Sequence, residues 1–493
     1  MSGPPAVRPS GIPFQIMTTA QGTPGVVDAR VVTEGTRLLC YVVLDHGVIA
    51  DKVGEEAPTR VEDWRFLFDS VYGNDLVLDG DTDVTGFSSA YTREPLSAQD
   101  MRDWVTATAE RVREYLPKHP RIVEIGCGTG LLLRELAPTS ERYAVVDFSA
   151  SALERLRRSL RHLGLDQIEY HHAAADELPC TLRDFDAVVI AQATQYFPGE
   201  NYLRRTLTGA LSVLAPTGVV YADVRSLPLL ETFHVSLEAH RDNGLAAGEV
   251  LSAAGQRAAA EDELVVHPAF FRSFADEAGC QATVTPRWGR GSKELTAYRY
   301  DALLRLGTVG GPRSAAPWRS WAGEGWSVRR LTEALHGGAA KNLALTGIPH
   351  PMLVDDLATH RRLADESGLP GPVPPAGEPV LPADLRSLAA AHSLRVTLDC
   401  SRGPDDGTYD AWFTDVPGLL PPPPAPEPYS GPCTSDPVLG EALQQVFSEV
   451  VSRLQAALPE ARPPVTVIVA DRPVPTASDA PDPAAFGSLR VTI

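Results

Sequence analysis

Cysteine is scarce in this 493-residue chain: Cys40, Cys127, Cys180, Cys280, Cys400 and Cys433 are scattered, with no CxxC pair and no ligand-like spacing. That argues against a disulfide framework and against a metal site, and it fits a reducing, cytoplasmic setting. Positive charge is also short, with 44 Lys and Arg against 63 Asp and Glu and a formal net charge of −19. Nucleic acids and anionic membranes are held mainly by Lys and Arg on phosphates, so neither is an expected partner. No stretch approaches the ~18 consecutive apolar residues that cross a bilayer. The opening MSGPPAVRPSGIPFQ lacks the basic-then-apolar order of an export signal. The expectation is a soluble protein that is not exported, and its length allows about two to four domains.

Proline, by contrast, is in excess at 43 residues. It clusters at the N-terminus and at 369–382, 416–432 and 459–483. A run such as Pro421 to Pro424 favours extended backbone and excludes helix, so these clusters read as seams. Residues 26–43 read as two β-rich runs joined at Glu34-Gly35-Thr36. Residues 61–72 and 98–115 have apolar positions at helical spacing, with Trp64, Phe68, Trp104 and Val105 as packing residues. From 121 onwards short apolar strands alternate with helices: RIVEIG, YAVVDF, IEYHHA, FDAVVIA and GVVYADV. That alternation predicts a parallel sheet covered on both faces, a doubly wound α/β domain over about 121–305. The run 306–368 reads as mostly helical, with Trp318, Trp321 and Trp326 in its core. Residues 382–415 read as helix, strand, loop, strand, and 436–458 as an amphipathic helix leading to the strand PPVTVIVAD.

The first strand of the α/β region ends in Glu124-Ile125-Gly126-Cys127-Gly128-Thr129-Gly130, and a helix starts at once. A dinucleotide fingerprint, GxGxxG, needs glycine at 131, which is Leu131. The spacing here is GxGxG with an acid two residues before it. Asp147, followed by Phe148, ends the second strand where a carboxylate can accept ribose hydroxyls. Asp176 and Glu177 follow the third strand, and Ala191 and Gln192 end the fourth. Glycine loop and two downstream acids give the layout of an S-adenosylmethionine site, with Glu124 near a ligand that carries a sulfonium and an ammonium. Such a ligand has no pyrophosphate, so the loop needs close backbone approach rather than a basic cradle. The alternative for the glycines is a tight strand–helix turn with no ligand. Cys127 reads as a small filler.

With the loop placed, the wider sequence resembles the methyltransferase domains that interrupt adenylation domains of nonribosomal peptide synthetases. The resemblance runs through VEDWRFLFDSVYG (61–73), GFSSAYTREPLSAQDMRDWV (86–105), QYFPGENYLRRTLTGAL (195–211), DVRSLPLLETFHVSLEAHR (223–241), ELVVHPAFF (263–271) and RGSKELTAYRYD (290–301). It implies a class I, Rossmann-like α/β methyltransferase domain set into a split small α+β adenylation subdomain, in a free-standing version. The implied segments are 1–50 and 416–493 as the two halves of that remnant, the second with a Pro-rich linker. Between them lie a helical cap at 51–120, the core at 121–305 and a helical and small α/β extension at 306–415. The catalytic lysine of an adenylation domain falls on Ala480, between Asp479 and Pro481, and the large nucleotide-binding part is missing, so adenylation is not expected.

The resemblance further implies N-methylation of an aminoacyl group on a carrier protein. Acceptor-side candidates are Tyr196 after strand four, Arg225, Glu231 and His234 after strand five, and Glu294 in the late KEL segment. His234 and Glu294 are read as a base and its orienting partner; the alternative is that His234 packs beside Leu230 and Leu237. Arg225 and Asp223 pair with each other or touch substrate. Tyr72 and Tyr91 come from segments that cover the cofactor in related proteins, or else pack in the core. The family's N-S-V-V-Q-Y-F-P is here Ala191 to Pro198, and its G-W-N-S-S-Y is Gly86 to Tyr91, changes that point to a bulkier or differently oriented acceptor. The net charge counts against simple steering of an acidic carrier protein, which leaves a local basic patch around Arg287, Arg290 and Lys293 or a freely diffusing acceptor. Competing readings keep the cofactor but methylate oxygen, carbon or sulfur, or make the chain a non-catalytic docking module for a synthetase.

Overall fold

The computed structural model describes residues 11–34, 37–73, 83–241, 244–307, 312–336, 342–402, 405–416, 429, 431–459, 463–470 and 490–492. The expected turn residues Gly35 and Thr36, the Pro421–Pro424 run and the Asp479-Ala480-Pro481 segment lie outside the described residues. Two compact units result. One comprises Val61–Leu251 with Glu263–Ser435, the other Met1–Arg60 with Ser252–Asp262 and Asp436–Ile493.

The larger unit is built on seven strands: β1 (Arg121–Ile125), β2 (Arg142–Asp147), β3 (Ile168–His172), β4 (Phe185–Ile190), β5 (Leu214–Arg225), β6 (Gln281–Pro286) and β7 (Arg299–Arg305). Their spatial order is β3-β2-β1-β4-β5-β7-β6. The first five are parallel, as the β–α alternation predicts. β7 runs antiparallel to both of its neighbours, so the sheet is mixed rather than wholly parallel. The physical reason is the return from β6: the neighbouring strand is reached without a helix crossing the sheet face, and only an antiparallel partner can be joined that way.

Period-two alternation inside these strands feeds two cores. Val123, Ile125, Ala144, Val146, Val188 and Ile190 point to one face, where α5 (Glu200–Ser212) packs, and Ile122, Tyr143, Val145, Ala187 and Val189 to the other. The second face is covered by α2 (Ala98–Arg113), α3 (Leu131–Leu136) and α4 (Ala150–Leu160). Before them comes α1 (His46–Gly73), which belongs to this unit from Val61 onwards. After α5 follow α6 (Leu230–His240), α7 (Pro268–Ala278) and the one-turn α8 (Lys293–Thr296). α2 starts at Ser97, whose hydroxyl accepts the Asp100 amide, and α4 starts at Ser149, which accepts the Ala152 amide. Strands that face apolar cores on both sides leave polar chemistry only at their ends, and that puts the site at the carboxyl edge.

The run 306–368 is not mostly helical. It supplies β8 (Trp318–Ser320) and β9 (Asn342–Pro349), separated by α9 (Val328–His336) and followed by α10 (Pro351–Glu366). After α11 (Pro382–Ala391), β10 (Arg395–Asp399) and β11 (Thr408–Thr414) complete a second sheet in the order β8-β9-β11-β10. Trp321 and Trp326 are in its core, as expected; Trp318 is half-buried under Arg402.

In the smaller unit the hairpin Val26–Glu34 with Arg37–Leu44 forms as expected. Val465–Ala470 adds in parallel beside Arg37–Leu44, and Arg490–Thr492 closes the sheet. Helices Ile12–Gln21 and Pro437–Ala457 supply Ile16, Ala20, Phe447, Val450 and Leu454 to the core over that sheet. Strands more than 400 positions apart in sequence are thus hydrogen-bonded neighbours. No helix among the described residues is long and apolar enough to cross a membrane.

Candidate functional site

A cleft of about 1000 Å³, solvent at its mouth included, opens at the carboxyl ends of β1, β2 and β4 in the larger unit. The glycine loop forms its floor. Gly126 takes φ +76 and Gly128 φ +49, left-handed conformations that favour glycine. A Cβ on Gly126 would come within 2.7 Å of Ala193 Cβ, and one on Gly128 within 3.2 Å of Tyr72 Oη, so both hydrogens keep space open in the cleft. Gly130 does not line the cleft. Its φ is +77 and a Cβ there would lie 2.3 Å from Leu156 Cδ1, which makes it a packing glycine at the start of α3.

Two carboxylates reach the cleft from strand ends. Glu124 is buried and accepts the Tyr143 hydroxyl at 2.7 Å; burial pushes its carboxyl up to about 8 against that bond, and Asp147 nearby pushes the same way. Asp147 accepts the amides of Ser149 at 2.9 Å and Gly128 at 3.3 Å and the Cys127 thiol at 3.7 Å. Burial still holds Asp147 above the usual carboxylate range, and it drives the Cys127 thiol far up, which leaves that sulfur unreactive. Phe148, Ala191 and Gln192 also line the cleft.

The remaining wall is aromatic. Trp64, Phe68 and Tyr72 recur every four residues on α1 and so share a helix face. Phe68 packs 5.7 Å from Tyr72, 6.1 Å from Phe148 and 5.0 Å from Tyr196, and Trp64 lies 4.8 Å from Tyr196. Asp69, on the same helix, accepts the Ser149 hydroxyl at 2.7 Å and the Ser151 amide at 3.2 Å, which fastens α1 to the start of α4. Phe68 and Trp104, which the sequence assigns to packing, line the cleft with Phe87 and Tyr202. The spacing of aromatics on one face of 61–72 is the signal that could have identified Phe68.

Several candidates stand elsewhere. Asp176 pairs with Arg205 at 2.8 Å, Glu177 is exposed, and neither is among the lining residues, although Ala173 and Ala175 are. Tyr91 is also absent from the lining; its hydroxyl meets Ser236 Oγ at 2.7 Å, and its ring carries the Lys293 ammonium at 4.7 Å. Of the acceptor-side candidates only Tyr196 lines the cleft. Glu294 accepts the Ala90 amide at 2.8 Å and faces Ser292 at 3.4 Å, so its carboxylate is engaged with the Gly86–Tyr91 segment rather than with His234. His234 is buried on α6 with its ring 5.5 Å from Phe233. Glu231 is exposed, 3.9 Å from His360.

Arg225 and Asp223 do not pair with each other. Arg225 reaches Glu263 at 2.6 Å, because Asp223, fully buried at the end of β5, is taken by Arg287 at 2.7 Å and Arg299 at 2.6 Å. The same carboxylate accepts the Trp104 indole at 3.0 Å and the Gln192 amide at 3.3 Å, so it anchors two cleft residues from behind. The expected basic patch dissolves for the same reason. Arg287 is buried between Asp223 and Asp301, Arg290 meets Asp384, and Lys293 meets Asp356. Among the described residues no cluster of His, Cys, Asp and Glu could hold a metal ion.

Residues 122–218 match the model of the methyltransferase domain family. The chain is 32% identical over 403 residues to chondramide synthase of Chondromyces crocatus, covering 77% of this chain and 10% of that protein. It is 32% identical over 349 residues to a probable non-canonical nonribosomal peptide synthetase of Salinispora arenicola, 69% of this chain and 4% of that one. Beauvericin nonribosomal cyclodepsipeptide synthetase of Beauveria bassiana is 28% identical over 351 residues, 66% of this chain and 11% of that protein. The chain therefore spans about a tenth or less of the length of these relatives. Among solved structures, N-methyltransferase NodS of Bradyrhizobium japonicum with S-adenosyl-L-homocysteine is 14% identical with a TM-score of 0.32, covering 50% of this chain and 98% of that one. A glycine cradle without a basic cradle, two strand-end carboxylates and an aromatic cover suit a cationic nucleoside cofactor, and with the family match they identify the chain as an S-adenosylmethionine-dependent methyltransferase whose domain is of the nonribosomal peptide synthetase type.

Proposed function

We propose that the chain N-methylates an amino group of an aminoacyl or peptidyl acceptor, carried on a carrier protein or free, in nonribosomal peptide or related natural-product biosynthesis. The observation that carries this reading is the make-up of the cleft. Beside the glycine cradle and the two carboxylates its wall is aromatic and aliphatic with the Gln192 amide, and no Lys, Arg or His is among its described lining residues. A second carboxylate, that of a free amino acid, has no cationic side chain to meet there, so an acceptor whose carboxyl is tied up as a thioester or amide fits better.

Bound S-adenosylmethionine supplies a methyl group already activated by its sulfonium. The chain's own residues position and dehydrate. The Gly126–Gly128 backbone would admit the ligand, Asp147 would offer carboxylate oxygens to ribose hydroxyls, Glu124 would serve its positive end, and Phe68, Tyr72 and Tyr196 would exclude water. No histidine stands among the described lining residues to act as a base. An α-amino group, with pKa near 8, needs none once it enters neutral. Its lone pair would form the C–N bond while the C–S electron pair stays with sulfur, and the surplus proton would leave the new ammonium for water. A carbon acid would need a base within reach.

In the smaller unit, the shared sheet of 37–44 and 465–470 supports reading the two chain ends as halves of one split adenylation subdomain; that reading includes no adenylation activity. A face of that kind suits contact with a synthetase. The test of the reading uses methyl-deuterated cofactor with a panel of aminoacyl N-acetylcysteamine thioesters and the matching free amino acids, read by fragment mass spectrometry. Label on the amino nitrogen of a thioester is expected. Label on carbon or oxygen, or none on any acceptor, would overturn it.

A further inference from the structure

Gln192 follows β4 with φ +55, a left-handed conformation uncommon for a side chain of this kind, and it lines the cleft. Its amide belongs to a closed ring of four hydrogen bonds. Arg299 Nε donates to Asp223 Oδ1 at 2.6 Å, and Arg299 Nη2 donates to Gln195 Oε1 at 2.6 Å. Gln195 Nε2 then donates to Gln192 Oε1 at 3.2 Å, and Gln192 Nε2 donates to Asp223 Oδ2 at 3.3 Å. A guanidinium only donates and a carboxylate only accepts, so the two amides between them have one self-consistent orientation. Asp223 is held ionised: burial opposes it, but Arg287 and Arg299 keep its carboxyl below the usual range. Gln195 and Arg299 are themselves buried.

The ring uses one lone pair of Gln192 Oε1 and one of its N–H groups. One lone pair and one N–H remain on this amide of a cleft-lining residue, and no imidazole is among the described lining residues. We propose that Gln192 is a catalytic residue that accepts an N–H of the acceptor amine, with Gln195 and Asp223 as positioning residues; this rests on the amine reading above. A neutral primary amine has one lone pair to aim and two hydrogens that need acceptors. Holding one hydrogen on a fixed carbonyl oxygen turns the lone pair toward the methyl without a proton transfer. As the C–N bond forms and the C–S pair goes to sulfur, that hydrogen gains positive charge, so its bond to Oε1 strengthens in the transition state.

The test compares the wild type with Gln192→Leu and Gln195→Glu. The second keeps an acceptor for Arg299 and replaces the donor to Gln192 with a carboxylate, which cannot donate to it. Methyl transfer to aminoacyl N-acetylcysteamine thioesters is followed as kcat and KM, S-adenosylhomocysteine affinity by calorimetry, and stability by thermal melting. Gln192→Leu is expected to lower kcat about 10- to 100-fold, the range for losing one transition-state hydrogen bond. Gln195→Glu is expected to lower kcat about 10-fold with KM unchanged. In both variants the calorimetric affinity stays at the wild-type value, while the melting temperature falls modestly because buried bonds of the ring are lost. Wild-type kcat in Gln192→Leu overturns the assignment, and so does a loss of S-adenosylhomocysteine affinity that matches the loss of rate, which would make Gln192 a cofactor residue. Wild-type kcat in Gln195→Glu overturns the positioning role. Absence of transfer by the wild type to every thioester overturns the amine reading itself and this assignment with it.

Discussion

Tyr143 donates its phenol hydrogen to Glu124 at 2.7 Å inside the sheet, where both side chains are shielded from water. Burial first, then Asp147, raises Glu124 to about 8 even with that bond. The ligand-free protein therefore holds a proton there at neutral pH, while the unfolded chain does not. Between pH about 4.5 and about 8 the unfolded state is the more ionised one, so stability falls as pH rises through that window. A sulfonium favours ionised Glu124. S-adenosylmethionine binding should release a proton below about pH 8, strengthening as pH rises toward that value and levelling off above it, more than S-adenosylhomocysteine binding does. Calorimetry in two buffers of different ionisation enthalpy reads this, and Glu124→Gln should abolish the difference between the two ligands.

Gly130→Ala and Gly128→Ala should fail differently. At Gly130 the new Cβ meets Leu156, which is buried, at 2.3 Å and with φ +77. The expected cost is about 1–3 kcal/mol of stability, seen as a lower melting temperature. At Gly128 the obstacle is Tyr72 Oη at 3.2 Å, inside the cleft. Calorimetry with S-adenosylhomocysteine should show a loss of about tenfold, or ~1.4 kcal/mol.

Asp223→Ala should be severe. It leaves Arg299 buried with Gln195 as its remaining acceptor, and Arg287 with Asp301 and Tyr221. Removing one member of such a buried cluster costs about 3–5 kcal/mol in chemical denaturation. Because the Asp223 carboxyl lies below its ordinary value, its contribution is present above pH ~3.9 and is lost as pH falls further. The variant should therefore show less of a stability change over that acid range.

His234→Ala and Glu294→Gln separate nitrogen from carbon as the atom attacked. Neither residue lines the cleft, so transfer to an amine should stay within about threefold of the wild type. A carbon acceptor would need a base, and a fall of ~100-fold in either variant would support that reaction instead.

Much of this was legible in the chain itself. The five parallel strands are short apolar runs between helical periods, and the glycine loop carries its own spacing. Strand direction is not written in an apolar run, so the reversal of β7 was hidden. β8 is three residues long and β9 is split by a bulge, too little pattern to stand out from helices. The Asp223 cluster joins Trp104, Gln192, Arg287 and Arg299, separated by up to 119 positions from Asp223, and no local period links them. For that reason Arg287 reads as surface charge although it is buried. Asp176 sits at the expected spacing, but only the fold shows that Arg205 holds it.

This cleft holds S-adenosylmethionine through the glycine loop and Asp147. The most direct test is a calorimetric titration of wild type and Asp147→Ala with S-adenosylhomocysteine. One site per chain is expected in the wild type and affinity at least ~10-fold weaker in the variant, the loss expected for charge-assisted bonds to ribose hydroxyls. No heat at millimolar ligand, or equal affinity in the two proteins, would contradict it.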